Sequence, residues 1–404
     1  MLNLQLKFKI SRIHFSFIFI YNIYKFFYTL PFYLIQLPVP FVFLSKRLFV
    51  SSWNVGGITP PSDLNFEDLL DTRNELADIY VLGFQEIVPL NAGNIMVTEN
   101  TSISMQWNSL IRAALNKTAI SHQKAEAGEN QKVYPLKREG SFTTSATNNS
   151  PHDFECIISK QMVGIFITIW ARIPLLPYIR HTSVSSVGCG IFGCLGNKGS
   201  VSVRFCLQET SFCFVCCHLA SGGKEGDKRE RNANASQILS RTRFPSDPFH
   251  CLPSKILQHE VIWLGDLNYR IYLPEPTARS LVNDRQWSTL LQNDQLKAEL
   301  REGCTFEGWN EEEIEFPPTY KYNLDSDDYY GCNDQKGKRG KSRTPAWCDR
   351  IIWFGKGLKQ RQYNRSECKL SDHRPVRAIF TAEVKVQRQS TEASEKFAKI
   401  FDNL

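Results

Sequence analysis

One of the common glycine-rich phosphate loops, GxxxxGK[ST], does not occur in this sequence. P-loop nucleotide chemistry is therefore not expected. No self-similar period of roughly 20 to 50 residues runs through the chain, which sets aside solenoids and propellers. Of the twelve cysteines, Cys213 and Cys216 form a Cys-x-x-Cys with no second pair like it, so a structural zinc site is not expected. Twelve thiols in 404 residues are too dilute for a disulfide-stapled module, and they sit in apolar runs such as SFCFVCCHLAS. They read as buried thiols of an intracellular protein.

Long uninterrupted apolar runs are also missing. The first 45 residues are almost all aromatic and aliphatic (RIHFSFIFIYNIYKFFYTLPFYLIQLPVPFVFL), but Lys25, Pro31, Pro38 and Pro40 break them up. What remains is shorter than the roughly 20 residues a spanning helix needs. Lys7, Lys9 and Arg12 precede the stretch as in a signal or anchor segment, yet no small-residue cleavage site follows. Residues 1–45 are expected to lie outside the folded domain, with a membrane-associating segment as the alternative.

The rest has the composition of an ordinary soluble chain with ample core, 42% hydrophobic and 22% charged. It is long enough for one large domain, here placed at 46–385 with a tail at 386–404, or for two smaller ones. The formal net charge is +7, and Lys and Arg bunch in KEGDKRERN (224–232) and KGKRGKSR (336–343). Such clusters are either solvated loops or a site for an anionic partner.

After Leu48 strands and helices alternate. LFVSSWNV and IYVLGFQEI read as strands, and LNFEDLLDTRNELAD between them, with Leu64, Leu69, Leu70 and Leu76, reads as a helix. Residues 121–153 are polar and aperiodic and are expected to be a mobile insertion. Strand-like runs then follow thickly, including MVGIFITIWAR, GSVSVRFCL, SFCFVCCHLAS, EVIWLGDLNYRI, RIIWFG and PVRAIFTAEV. Many strands with few helices between them predict two packed sheets flanked by helices, an α/β (α+β) sandwich of four layers.

Polar residues recur at the strand ends: Asn54, Glu86, His218, Asp266 with Asn268, Asp349, and Asp372 with His373. Strands lying side by side would bring them to one rim as a cluster of acids, amides and imidazoles. That inventory suits hydrolysis of a phosphate ester with a hard divalent cation. Glu86 and Asn54 offer oxygen ligands for Mg²⁺. An ionised Asp266 can orient or deprotonate a water, with Asn268 fixing it. His373, kept protonated by Asp349, can bind non-bridging phosphate oxygens. Taken singly, Asp266 is as well explained as a turn former and His218 as a core histidine.

The motifs WNVGG (53–57), FQEIVPLNAGN (84–94), GNKGSVSVRF (196–205), HLASGGKEGDKRERN (218–232), WLGDLNYRI (263–271), FPPTYKYN (316–323), RTPAWCDRIIW (343–353) and LSDHRPV (370–376) occur in order. Together they resemble the inositol polyphosphate 5-phosphatase family, and the linking sequence is similar to its plant members. The resemblance implies a sandwich of the endonuclease/exonuclease/phosphatase type and removal of a 5-phosphate from phosphoinositides or soluble inositol polyphosphates. It implies Glu86 and Asn54 as the Mg²⁺ shell, Asp266 and Asn268 as the water-handling pair, His373 with Asp349 as the phosphate-stabilising dyad, and His218 as a second histidine on the scissile phosphate. Tyr320, Lys321 and Lys341, with Arg343 beside them, match positions that grip the neighbouring 4-phosphate, and Asn197 and Lys198 match those near the 1-phosphate. Arg270 either reaches a phosphate or pairs with a structural acid to hold its turn.

The partner so implied is an inositol phosphate or phosphoinositide, with peripheral contact to membrane lipid at the cytosolic face, no nucleic acid and no obligate protein partner. One departure is Cys217, where Ser or Thr commonly precedes the histidine. A nuclease or sphingomyelinase of the same fold would share Glu86, Asp266 and His373 without calling for PPTYK or PAWCDR. A lapsed, non-catalytic relative should have lost a metal or water ligand, and none is missing.

Overall fold

The computed structural model describes residues 41–96, 101–126, 153–224, 226–246, 252–303, 305–331 and 343–387; for Met96 and 118–126 only the backbone is described. Phe43–Lys385 form one compact unit, and the strand ends 41–42 and 386–387 belong to a second, made of Met1–Val42 and Val386–Leu404.

The strands are β1 (Phe41–Asn54), β2 (Ile79–Gln85), β3 (Phe154–Met162), β4 (Ile165–Arg172), β5 (Ile179–Gly188), β6 (Gly199–Leu207), β7 (Thr210–His218), β8 (Glu260–Asp266), β9 (Asp349–Phe354), β10 (Leu358–Arg365) and β11 (Val376–Gln387). They form a six-stranded sheet in the order β10-β11-β1-β2-β4-β3 and a five-stranded sheet in the order β5-β6-β7-β8-β9. Both sheets are mixed. β1 runs parallel to β2 with Asn54 opposite Gln85, and β7 runs parallel to β8 with His218 opposite Asp266. Each parallel pair needs a crossover. The described helices α1 (Phe66–Leu70) and α4 (Asp227–Arg241) lie in those two crossovers, and α2 (Ala92–Met96), α3 (Ser102–Glu126), α5 (Glu275–Asn283), α6 (Trp287–Gln292) and α7 (Gln295–Glu302) complete the set.

The alternation of β1 shows how sequence becomes layers. Phe49 and Trp53 point one way, into a cluster with Phe66, Phe84 and Trp107 of α3, while Val50, Ser52 and Asn54 point the other way. Sheet two has its own outer cluster, Trp263 with Phe306, Trp309 and Leu296. Between the sheets the packing is close: a Cβ on Gly83 would lie 2.8 Å from both Cys216 Sγ and Leu264 Cδ1. Glycine at that point lets the sheets approach, and a side chain there would force them apart.

Three expectations change. The helix expected over 64–78 is only Phe66–Leu70, because Asp71 turns left-handed (φ 53°) and its N–H caps the helix on Asp68 and Glu67 carbonyls. Residues 121–126 continue α3, and 127–152 of the expected insertion lie outside the described residues. The strand β1 starts at Phe41, so the last five residues of the apolar 1–45 stretch are strand; residues 1–40 and the tail from 388 lie outside the described residues. No described helix is long and apolar enough to cross a membrane.

Candidate active site

Register brings the strand-end residues together. His218 and Asp266 are abreast in sheet two, and Asp266 is abreast of Asp349 across the antiparallel β8–β9 pair. Sheet one supplies Asn54 and, one residue past β2, Glu86. The sheets meet at the Asn54 carboxamide, whose Nδ2 donates to Asp266 Oδ2 at 3.0 Å and to Glu86 Oε1 at 3.4 Å. Glu86 and Asn268 both hold left-handed backbone, φ 54° and 58°. Asparagine tolerates that region, but glutamate there is strained, and such strain is found where a side chain must point at a site.

Asp266 is the centre. Its Oδ2 lies 3.3 Å from His218 Nε2 and 4.0 Å from His373 Nε2, and its Oδ1 accepts from the Asn268 N–H at 3.1 Å. Burial pushes this carboxyl up, but the hydrogen bond and charge of His218, with the charges of His373 and Lys198, outweigh it and hold Asp266 well below the usual range. Burial, and next the Lys198 ammonium that meets its Nε2, lower the His218 pKa. Lys198 is itself lowered by burial, against the pull of Asp266 and Glu86.

The second histidine is set differently. His373 Nδ1 is 2.9 Å from Asp349 Oδ2, and the Thr319 hydroxyl donates to the same oxygen at 2.7 Å. Burial alone would lower His373, but Asp349 first, then Asp266 and Asp372, raise it to about 9. One imidazole is thus disposed to be neutral and the other cationic, a few ångströms apart.

On the flank, the Tyr320 ring lies over His373 with centroids 4.5 Å apart, and the Arg270 guanidinium lies 4.6 Å from the Tyr320 ring. Lys321 is tied to Asp372. Of the two roles expected for Arg270, pairing with a structural acid is not seen among the described residues: its Nη2 donates to Asn268 Oδ1 at 2.6 Å. Asn197 accepts from the Ile191 N–H at 3.2 Å, and the Arg343 carbonyl accepts from Arg279 at 3.0 Å. Lys341 lies outside the described residues. The basic run 224–232 is partly structural: Arg231 is buried and donates to Gln295 at 2.8 Å, and Lys228 pairs with Glu299 at 2.7 Å.

The donor set suits a hard divalent cation. Glu86 is a carboxylate with 29% of its side chain exposed, Asp266 is an ionised neighbour, and the nearest thiol, Cys217, instead takes the Trp263 N–H. Asn54 Oδ1 accepts from the Gly56 N–H at 3.0 Å while its Nδ2 faces the acids, so in this geometry Asn54 bridges the two carboxylates. Glu86 could hold the cation, and Asn54 Oδ1 keeps a second lone pair for it. Asp266, Asp349 and His373 also place ligand atoms within 4.8 Å of one another, but Asp349 and His373 are committed to each other. His218 Nδ1, Arg270 Nε and Asp349 Oδ1 are buried without partners, as in a cleft built to receive a polar ligand.

Residues 51–379 match the Endonuclease/Exonuclease/phosphatase family 2. The chain is 56% identical over 347 residues to the type IV inositol polyphosphate 5-phosphatase 9 of Arabidopsis thaliana, covering 86% of this chain and 80% of that protein. It belongs to the inositol polyphosphate 5-phosphatases. A second Arabidopsis thaliana member, type I inositol polyphosphate 5-phosphatase 8, is 46% identical over 86% of this chain and 73% of its own length. Among solved structures, the 5-phosphatase domain of Spsynaptojanin in complex with inositol (1,4)-bisphosphate and a calcium ion superposes with a TM-score of 0.69 at 27% identity, covering 90% of this chain and 94% of that one. As an inositol polyphosphate 5-phosphatase the chain is a hydrolase of phosphoric monoesters.

One residue of this 5-phosphatase rim escapes the sequence reading, Thr319. It lies inside the quoted FPPTYKYN but has no signal of its own, because its partner Asp349 is 30 residues away in sequence.

Proposed function

We propose that this enzyme hydrolyses the 5-phosphate of phosphatidylinositol 4,5-bisphosphate, with the 3,4,5-trisphosphate and soluble inositol polyphosphates as further substrates, at the cytosolic face of membranes and with Mg²⁺ as its cation. The observation that carries the reading is the meeting of Asn54, Asp266 and His218 in one polar cluster beside Glu86, with His373 Nε2 4.0 Å from the same Asp266 oxygen. Bound at Glu86, Mg²⁺ supplies positive charge for the phosphate oxygens and the leaving group.

The chain's own residues do the rest. Ionised Asp266 accepts a hydrogen bond from the attacking water and takes its proton as the bond to phosphorus forms, while Asn268, held by its own Nδ2 on Leu219 O at 3.1 Å, limits where that water sits. Cationic His373 and the Lys198–His218 pair meet the non-bridging oxygens as charge shifts toward them. We assign Tyr320 and Lys321, which border the dyad, to a neighbouring 4-phosphate, and Asn197 to the 1-phosphate, while Lys198, whose ammonium meets His218, serves the scissile group. The inositol (1,4)-bisphosphate bound by the Spsynaptojanin domain has the phosphates left after a 5-phosphate is removed, which supports the same reading.

A lipid substrate is favoured by the loop carrying Asn197. Ile191 and Phe192 at its tip are 47% and 91% exposed, and Arg241 fastens its base by donating to the Gly188 carbonyl at 2.9 Å. In a phosphoinositide the 1-phosphate leads to the acyl chains, so apolar side chains beside the 1-phosphate position face the bilayer.

The test is phosphate release by the full chain at fixed Mg²⁺ from phosphatidylinositol 4,5-bisphosphate in vesicles and soluble inositol 1,4,5-trisphosphate, with Lys321→Ala alongside. Release that falls about tenfold or more in Lys321→Ala, the loss of one charged phosphate contact, supports the reading. No release from either substrate by the folded protein would move it to another phosphodiester or phosphomonoester.

A further inference from the structure

We propose that Asn234 is a positioning residue for Asn268, acting through the peptide group that joins Leu219 to Ala220. This rests on the water-handling role given to Asn268 above. The buried face of α4 is Arg231, Asn234, Ala235 and Ile238, a stripe at helical spacing whose first two members are polar. A buried polar side chain costs stability unless it is hydrogen-bonded. Both turn to the loop that follows His218. Arg231 Nη1 donates to the Ala220 carbonyl at 3.4 Å and to the Gly222 carbonyl at 3.1 Å, and Asn234 Oδ1 accepts from the Ala220 N–H at 3.0 Å.

The Ala220 N–H and the Leu219 carbonyl belong to one planar peptide group. Asn234 holds its nitrogen side, and its oxygen side accepts from Asn268 Nδ2 at 3.1 Å. Among the described residues neither atom has another partner. The peptides on either side are held separately, the one before by the Leu219 N–H on Asp266 O at 3.0 Å and the one after by Arg231. A peptide between two such anchors can still turn about the line joining its Cα atoms, and Asn234 is the group that sets this turn. Turning it would swing the Leu219 oxygen away from Asn268 Nδ2 and leave the carboxamide held only at Oδ1, by Arg270. The bond to Asn234 also polarises the peptide, which makes the Leu219 oxygen a better acceptor. Asn234, Ala220 and Asn268 are all buried, so bulk water does not stand in for either bond.

Asn234→Leu in the full chain removes the acceptor at similar size, and Asn234→Asp keeps an oxygen for the Ala220 N–H. Two readouts decide, one of them independent of turnover. The Asn268 side-chain amide protons are followed by magnetic resonance in asparagine-labelled protein, assigned by their loss in Asn268→Ala. Asn234→Leu should shift or broaden them, and Asn234→Asp should leave them near the parent positions. With inositol 1,4,5-trisphosphate, kcat of Asn234→Leu should fall about tenfold while KM changes by less than about twofold. In an Asn268→Ala background the same substitution should change kcat by less than about twofold, because the residue it acts through is gone. Parent resonances or the parent kcat in a folded Asn234→Leu protein overturn the proposal, and so does a loss as large with Asn268→Ala as without it. Should Asn234→Leu not fold, Asn234→Ala carries the same comparison. If the parent releases no phosphate, the substrate reading has failed, and the resonances still decide the role of Asn234.

Discussion

His218 and Asp266 face each other at the last register position of two parallel strands, with imidazole Nε2 3.3 Å from carboxylate Oδ2. Both groups are almost fully buried, and the carboxylate stays ionised because the hydrogen bond from His218 first, with the charges of His373 and Lys198, outweighs what burial costs it. A carboxylate held that acidic is a poor reservoir for protons at rest but a fixed acceptor for one water. Asp266→Asn keeps the shape and removes the charge. Phosphate release should fall by about 10² to 10⁴, the range for losing a positioned general base, with the melting temperature close to the parent's. Parental turnover in that variant would remove Asp266 from the chemistry.

The dyad makes the alkaline limb of activity predictable. His373 is raised from 6.5 to about 9, chiefly by Asp349. A base whose folded pKa is raised contributes stability that is complete below 6.5 and lost as pH rises through about 9, and its phosphate-binding charge is lost over the same upper interval. We expect kcat to decline above about pH 9, and Asp349→Asn to move that decline toward 6.5. The groups facing the imidazole are Asp349, Asp266, Asp372 and Tyr320, so if Asp349→Asn leaves the limb in place, the remaining two carboxylates set it instead.

How much of this was visible in the sequence depended on range. The strands with β-rich runs ending in polar residues, β1, β2, β7, β8 and β9, were legible, and so was the idea that their ends converge, because Asn54, Glu86, His218, Asp266 and Asp349 each close or open one. What the sequence could not show was which atom faces which. Asn54 turns its Nδ2 to Asp266, 212 positions away, and Arg270 lies on the Tyr320 ring without an acid partner among the described residues, both set by packing between separate segments. The helix α1 was expected but its early end was not, because Asp71 adopts a left-handed cap that glycine or asparagine would have announced more plainly than aspartate. The basic run 224–232 looked like an anion site because charge alone does not reveal that Arg231 is fully buried against Gln295.

Beneath Asp349 its neighbour Arg350 is wholly buried, with Nη1 on Asp294 at 2.8 Å and a two-pronged contact to Glu311 at 2.6 and 2.7 Å. Removing the cation leaves two buried carboxylates facing each other. Arg350→Met should destabilise the fold by about 3 to 5 kcal/mol, while replacing all three residues with apolar ones of similar volume should recover most of that. Chemical denaturation checks both. A single variant as stable as the parent would mean that water reaches the acids, so that they are not dry.

The apolar loop tip separates the two kinds of substrate. Phe192 is 91% exposed and Ile191 47%, and neither packs on the core, so polar replacements cost the fold little. Burying a phenylalanine side chain in a lipid interface is worth about 1.5 to 3 kcal/mol, or roughly 10-fold to 100-fold in surface affinity. Ile191→Ser with Phe192→Ser should therefore weaken binding to anionic vesicles by about that factor and lower hydrolysis of vesicle-borne phosphatidylinositol 4,5-bisphosphate in step. Hydrolysis of soluble inositol 1,4,5-trisphosphate, which has no acyl chains for the tip to meet, should stay at the parent rate. Equal losses on both substrates would mean that the loop acts through Asn197 and Lys198 on the phosphates alone, and no loss on either would leave the tip without a part in substrate choice.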